Sequence, residues 1–281
     1  MADSAGRVAL WDVAKKKKIV EDPEAAKGAL NAIAIESRES RMLAAGGIDQ
    51  RVLVYSINPV AKKREKVELL AKQTELTGHN GPITSLAFLD NQYLVTASRD
   101  STLLLWNVNK HGYLMSYSEH GGDVNSVDIC SVNRNVLVSG SVDTAVKVWD
   151  IRKKVQCVKS FEGRETAVSS VRFLPGTELT VAAGHENSSI KLYDLRALSP
   201  VAEFKELNTF QNVTSLAFSL SGRLLFASYA HNSILVWDVL KEEKALSLDG
   251  GHSEMIHALA MDPSGHSLAS VGKDGYTIVW E

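Results

Sequence analysis

Residues 76–107 read LTGHNGPITSLAFLDNQYLVTASRDSTLLLWN. Three apolar runs fill the stretch: ITSLAFL from Ile83, YLVTAS from Tyr93 and TLLLWN from Thr102. The breaks between them, DNQ and RDS, consist of residues that favour turns. The runs are rich in Val, Ile, Leu and aromatic residues and are too short for typical helices. LLLW shows no polar alternation, as expected of a strand covered on both faces. The stretch therefore predicts consecutive strands of a sheet that packs between other sheets.

Working outward, its ending recurs. VALWD (Trp11), VLVYS (Tyr55), LLLWN (Trp106), VKVWD (Trp149), IKLYD (Tyr193), ILVWD (Trp237) and TIVWE (Trp280) each close on an aromatic and a small polar or acidic residue. The steps between these aromatics are 44, 51, 43, 44, 44 and 43 residues. The long step holds the Lys-rich connection NPVAKKREKVELLAKQ, the best helix candidate in the chain, yet short and uncapped. A period near 43 ending in Trp-Asp is that of WD-type β-propeller blades of four strands each. The expected fold is all-β: one seven-bladed WD-type propeller domain over residues 1–281, with units ending near 12, 56, 107, 150, 194, 238 and 281. The first unit starts at Arg7, just before its third strand, and the last reaches Trp280 with its third strand. The first blade is thus expected to be incomplete, with about 25 of 28 strands supplied and unpaired edges beside the gap. Either an upstream segment or a partner would complete the ring; a missing upstream segment is the favoured expectation.

Composition narrows the class. Apolar residues are 44% and charged residues 23%, ordinary for a globular chain and unlike a disordered or collagenous one. Thirty-one basic against 33 acidic residues leave a net charge of −2, which argues against nucleic acid as a partner of the whole surface. No apolar run approaches the roughly 18 residues of a membrane span. The N-terminal stretch lacks a secretory pattern, and two cysteines, Cys130 and Cys157, cannot form a disulfide framework. An intracellular protein with reduced cysteines as packing residues is expected. Catalytic signatures are missing: no G-x-S-x-G, H-E-x-x-H or P-loop occurs, and the eight His residues fall in separate repeats. No enzyme activity, metal or cofactor is expected. Lys15–Lys18, with Lys62, Lys63, Arg64 and Lys66, reads as a solvated surface, or else as a membrane-facing or nuclear-import patch.

Resemblance to WD repeats assigns the buried polar residues. In those repeats a loop His, a strand Ser, a turn Asp and the terminal Trp form a hydrogen-bonded chain. His79, Ser98, Asp100 and Trp106 fit that pattern, as do His120, Ser141, Asp143 and Trp149. The fifth unit offers Arg164, His185, Asn187 and Tyr193, and the sixth places Tyr229 and His231 at the Ser and Asp positions. The seventh keeps His252, Asp274 and Trp280 with Gly272 for Ser. The fifth and sixth blades are expected to be the least rigid.

The phrases between the aromatics resemble one family in particular. FLDNQYLVTASRDSTLLLWN (88–107), IKLYDLRA (190–197), FSLSGRLLFASYAHNSILVWDVLKEEKALSLDGGH (218–252) and AAGGIDQRVLVYS (44–56) are similar to the beta subunits of heterotrimeric G proteins. The sixth-unit segment most resembles the divergent subtype that pairs with regulators of G-protein signalling. The resemblance implies a non-enzymatic transducer that binds a gamma subunit or gamma-like domain, the GDP form of an alpha subunit, and effectors. It also implies a cytoplasmic protein at the inner face of the plasma membrane, held there through its partners. The family's N-terminal helix is expected to be absent from this sequence. Position by position, Asp123 matches the family's acidic alpha contact, while Ile48 stands for Leu and Gln50 for Asn. Asn125, Val142 and Ser169 occupy contact positions with altered side chains. Ala29 and Lys273 stand where the family carries Trp. Losing an aromatic anchor costs about 2–4 kcal/mol, so weak alpha binding is expected. On the generic alternative, the chain is a WD scaffold or adaptor with no alpha subunit.

Overall fold

The computed structural model describes residues 2–36, 41–58, 70–110, 112–153, 157–163, 166–206 and 211–281. Among them there are 25 strands and no helix. The architecture is all-β, a β-propeller, and the chain divides into two compact units, one up to Val127 and one from Asp128.

In the first unit, β1 (Val8–Asp12) and β2 (Lys17–Asp22) form a two-stranded ribbon. A four-stranded sheet follows, in the order β3 (Leu30–Ile35), β4 (Met42–Gly47), β5 (Arg51–Ile57) and β6 (Leu70–Thr77). A second runs through β7 (Ile83–Phe88), β8 (Tyr93–Ser98), β9 (Leu103–Asn107) and β10 (Tyr113–Tyr117). The three strands read from residues 76–107 are thus present at nearly the expected bounds. β6 occupies the end of the Lys-rich connection; residues 59–69, the body of the helix candidate, lie outside the described residues.

The strand β11 (Val124–Ile129) carries the boundary and belongs to the sheet of β12 (Val136–Ser141), β13 (Ala145–Asp150) and β14 (Cys157–Glu162). The second unit continues with β15 (Val168–Phe173), β16 (Thr180–His185), β17 (Ser189–Asp194) and β18 (Pro200–Lys205). The next sheet holds β19 (Val213–Phe218), β20 (Leu224–Tyr229), β21 (Ile234–Asp238) and β22 (Glu243–Leu248). A three-stranded sheet of β23 (Ile256–Met261), β24 (Leu268–Gly272) and β25 (Thr277–Trp280) comes last.

The blade count differs from the expected seven. Six sheets contain the inner strands of a blade, and the first unit of the repeat is only a ribbon, because the sequence holds its third and fourth strands alone.

The strand pairings among the described residues are antiparallel, and second and third strands pair in unbroken register, as in Leu94↔Trp106 and Leu225↔Trp237. In the four-stranded sheets the second and third strands are the buried ones, in keeping with their continuous apolar runs, whereas fourth strands such as β10 and β22 are largely exposed. Adjacent sheets pack tightly face to face. A Cβ added to Gly184 on β16 would stand 2.5 Å from a Val213 methyl on β19, so only glycine lets the two sheets close to this distance.

Candidate functional site

Each turn between a sheet's second and third strands is organised by its polar residue. The Asp100 carboxylate accepts the backbone N–H groups of Asn80 (2.8 Å) and Thr102 (3.0 Å) and the Thr102 hydroxyl (2.6 Å), and faces His79 Nδ1 at 2.8 Å. Burial pushes this carboxyl up, but the hydrogen bonds from Thr102 and Asn80 outweigh it and hold it below the usual carboxylate range. Burial pushes His79 down despite Asp100. The arrangement is an ionised Asp against a neutral His whose Nδ1–H donates. His79 Nε2 then accepts the Thr96 hydroxyl at 2.6 Å, and that oxygen accepts the Trp106 indole N–H at 2.9 Å. All donors in the chain are matched. The last sheet repeats it: Asp274, His252 Nδ1 at 2.9 Å, Nε2 to Ser270 at 2.8 Å, and the Trp280 indole to Ser270 at 2.9 Å.

The hydroxyl in the chain is not the expected one. Ser98 instead donates to the Gly81 carbonyl (3.0 Å) and accepts the Asp100 N–H (3.1 Å). In the β11–β14 sheet, Ser139 receives the Trp149 indole (2.8 Å), while Ser141 accepts the Asp143 N–H (3.0 Å). In the last sheet Ser270 does the work, two residues before Gly272. Register is the reason. Trp106 pairs across with Leu94, so Thr96 is its diagonal neighbour and Ser98 lies beyond reach. His120 is buried in the connection ahead of β11.

An Asp–His–hydroxyl relay is also the geometry of a nucleophilic triad. Here Thr96 and Ser270 are fully buried, and each oxygen is capped by an indole, so neither hydroxyl can meet a substrate. The chain's chemistry is to staple the turn to the third strand.

Where alanine replaces that hydroxyl, the network thins. In the β3–β6 sheet Ala45 takes the place, and the Tyr55 hydroxyl donates to Asp22 at 2.8 Å instead. In the two sheets with Ala183 and Ala227, both ring nitrogens of His185, the Tyr229 hydroxyl and the Trp237 indole nitrogen are buried without hydrogen-bond partners. Burial and the charge of Lys191 push His185 down to about 4. Burial pushes the Tyr229 phenol up to about 12. Arg164 lies outside the described residues.

Of the expected binding residues, Ile48, Gln50, Val142 and Lys273 lie on these turns, and main-chain bonds hold five of the turns to the connection entering the first strand. In the first unit Ile48 N–H donates to the Ala29 carbonyl (3.0 Å) and Arg99 N–H to Pro82 (3.0 Å). In the second, Glu186 N–H donates to Ala167 (3.1 Å), Ala230 to Asn212 (2.8 Å) and Lys273 to Met255 (2.8 Å). Ile48 and Gln50 are exposed on the β4–β5 turn, Gln50 with φ of 65°. Ala29 is half-buried beside them. Asp123, its side chain 43% exposed, stands 3.9 Å from Arg99. In the second unit Val142 is exposed on the β12–β13 turn, and Lys273 lies 3.9 Å from Glu254. Ser169 is half-buried, its hydroxyl donating to the Gly184 carbonyl at 3.0 Å. Asn125 is half-buried one residue into β11, the place Thr84 takes on β7.

That place has a role the sequence reading missed. Thr84 donates to the Val124 carbonyl (2.5 Å), Asn31 to Ile83 (3.0 Å) and Thr214 to Ile256 (2.7 Å), each tying a first strand to the first strand of the next sheet. The following serines add a second stitch: Val127 N–H donates to Ser85 (3.2 Å), Leu216 to Ser170 (3.3 Å) and Leu259 to Ser215 (3.1 Å). The signal was the polar pairs Thr84-Ser85, Asn125-Ser126, Ser169-Ser170 and Thr214-Ser215, set early in otherwise apolar strands.

Comparison with known proteins adds two findings. Residues 89–278 match the family model described as nucleolar protein 10-like, N-terminal domain. Proteins named guanine nucleotide-binding protein subunit beta are similar over most of the chain. That of Arabidopsis thaliana is 33% identical over 258 residues, 87% of this chain and 67% of the relative. That of Zea mays is 33% identical over 253 residues (85% and 66%), and one from Nicotiana tabacum 31% over 258 (87% and 68%). The chain thus spans 66% of the length of the Zea mays and japonica rice relatives.

Proposed function

Since the chain belongs to the WD-type β-propellers, by its relatives to the G-protein beta subunit family and by residues 89–278 to the nucleolar protein 10-like N-terminal domain family, we propose that it is a non-catalytic, G-protein beta-like signal transducer. The observation that carries the reading is the similarity to proteins named as beta subunits across more than four fifths of the chain. In this reading it binds an alpha subunit, a gamma or gamma-like subunit and effectors. It works in the cytoplasm, at the inner face of the plasma membrane, through a lipidated partner. The alpha contact uses Ile48, Gln50, Asp123 and Asn125 from the first unit and Val142, Ser169 and Lys273 from the second. Ser169 and Asn125 are the weakest of these, because both are half-buried within first strands, Ser169 with its hydroxyl bonded to the Gly184 carbonyl. Ile48, Asp123 and Lys273 are better placed, exposed at turns and connections whose backbone is held independently of them.

A calorimetric titration with a GDP-bound alpha subunit tests the proposal. With Ala29 and Lys273 in place of aromatic anchors, binding is expected in the micromolar range, weakened further by Asp123→Ala with the melting temperature unchanged. Ala29→Trp with Lys273→Trp is expected to recover several kcal/mol. Tight binding by the unmodified chain, or no gain on restoration, would overturn the assignment of these residues. A second reading, a WD scaffold with no alpha subunit, is favoured by Lys273 itself, a charge engaged near Glu254 where an anchor belongs. Affinity capture that returns neither alpha nor gamma subunits selects it.

A further inference from the structure

The turn between β17 and β18, residues 195–199, reads Leu-Arg-Ala-Leu-Ser and runs into Pro200 at the head of β18. Leu198 is 96% exposed, and Ser199 and Pro200 are exposed beside it. The first half of the turn is fixed. The Asp194 carboxylate accepts the Arg196 backbone N–H (2.8 Å), its Nε–H (3.0 Å) and its Nη2–H (2.6 Å), and the Ala197 N–H donates to the Asp194 carbonyl (2.9 Å). Lys159 reaches over from β14 of the preceding sheet, its Nζ donating to the carbonyls of Leu195 (2.7 Å) and Ala197 (2.5 Å). The second half is free: neither Leu198 nor Ser199 makes a hydrogen bond among the described residues. The proline that follows biases Ser199 to extended backbone, and β18 is the edge strand of its sheet.

We propose that Ser199 is a phosphorylation site for a protein kinase that takes proline after its acceptor and a cation three residues before it, with Arg196 and Lys159 receiving the phosphate. Ser199-Pro200 is the one Ser-Pro or Thr-Pro step in the sequence, and Arg196 stands three residues ahead of the acceptor. Arginine precedes a hydroxyl residue by three at one other place, Arg99 and Thr102. There the Thr102 hydroxyl is half-buried and donates to Asp100 at 2.6 Å. The turns that follow β13 and β21 carry basic residues but no Ser or Thr. A kinase cleft takes its acceptor as an extended segment, and a serine with no hydrogen bonds to surrender enters it at little cost. Arg196 is 72% exposed, so its pairing with Asp194 is a surface ion pair, readily exchanged for the acidic side chains of a kinase pocket. In the reaction Ser199 Oγ attacks the γ-phosphorus of ATP and the bond from that phosphorus to the β,γ-bridging oxygen breaks. ADP leaves, and the hydroxyl proton passes to the kinase's catalytic Asp. The new dianion arises three residues from Arg196 and two from a carbonyl that holds Lys159, and charge-assisted bonds to both cations fasten the turn to β14. β17 carries this turn at one end and the β16–β17 turn at the other, so the site is independent of any partner bound at the latter.

The test is incubation of the purified, folded chain with magnesium-ATP and a proline-directed serine/threonine kinase that prefers arginine three residues before its acceptor. Tandem mass spectrometry is expected to find the phosphate on Ser199, and Ser199→Ala to abolish labelling. Pro200→Ala and Arg196→Gln are each expected to slow incorporation about ten-fold, since each removes a recognised group. A thermal melt checks that the variants remain folded. Phosphorus NMR of the product is expected to place the second ionisation of the phosphate below about 6, its ordinary value, with Lys159→Gln moving it back up. No labelling of the folded chain, labelling that persists in Ser199→Ala, or an unchanged rate in Pro200→Ala or in Arg196→Gln would overturn the proposal. A phosphate with its ordinary ionisation overturns its placement against Arg196 and Lys159.

Discussion

One missing hydroxyl decides how well a sheet is stapled. Thr96, Ser139 and Ser270 each receive an indole N–H, and Ala227 stands at the same register position beneath Trp237. The Trp237 nitrogen is consequently buried without a partner. Ala227→Ser adds one oxygen where a donor already points, so it is expected to stabilise the protein by about 1 kcal/mol, the usual net worth of a buried hydrogen bond. Urea denaturation checks this, and an unchanged or lowered midpoint counts against the argument. The identity of this hydroxyl was hard to see in the sequence. Thr96 and Ser98 share a face of β8, both are small and hydroxylic, and residue type does not separate them. Only the pairing of Leu94 with Trp106 does, and register is a property of two strands together.

At the scale of strands and sheets, the alternation of apolar runs with Asp- and Asn-centred turns placed the strands within a residue or two, because such runs are buried on both faces wherever they occur. The stitches between first strands were not legible. A Thr-Ser pair in an apolar strand looks like a weak spot until the neighbouring sheet's carbonyls are in place. The close approach of sheets was equally hidden, since Gly184 reads as a poor strand residue. Its conformation is unexceptional; its absent side chain is what matters. Gly184→Val would drive methyl groups into Val213 and Leu216, and overpacking of this kind is expected to cost about 1–3 kcal/mol or more. Differential scanning calorimetry should show a clear fall in melting temperature. A neutral result would mean that the β15–β18 and β19–β22 sheets can separate without penalty.

For the whole molecule, the repeat period gave the class of fold and overstated the blade number, because the count followed terminal aromatics and Trp11 ends a unit that has only two strands here. The acid response also belongs to this scale. His185 titrates at about 4 when folded and near 6.5 when unfolded. Below pH 6.5 the unfolded chain takes up a proton that the folded chain refuses, so stability is complete above that pH and falls as pH drops toward 4. The ceiling is about 3 kcal/mol, with depressed Asp100 and Asp274 extending the loss at lower pH. His185→Ser, which restores the residue type of Ser98 and Ser141, is expected to flatten the slope between pH 6.5 and 4 by up to one proton. Denaturant midpoints across that window decide it, and an unaltered slope rules His185 out as the source. Ile48, Arg99, Glu186, Ala230 and Lys273 each help to hold their turn through the main-chain nitrogen, not the side chain. Five homologous places therefore carry an aliphatic, a base, an acid, a methyl and a second base on one unchanging frame. Such a frame keeps its vocabulary apart from its grammar: partners can be gained or dropped by single substitutions at these points, while the fold, indifferent to what is written there, passes unaltered from one allegiance to the next.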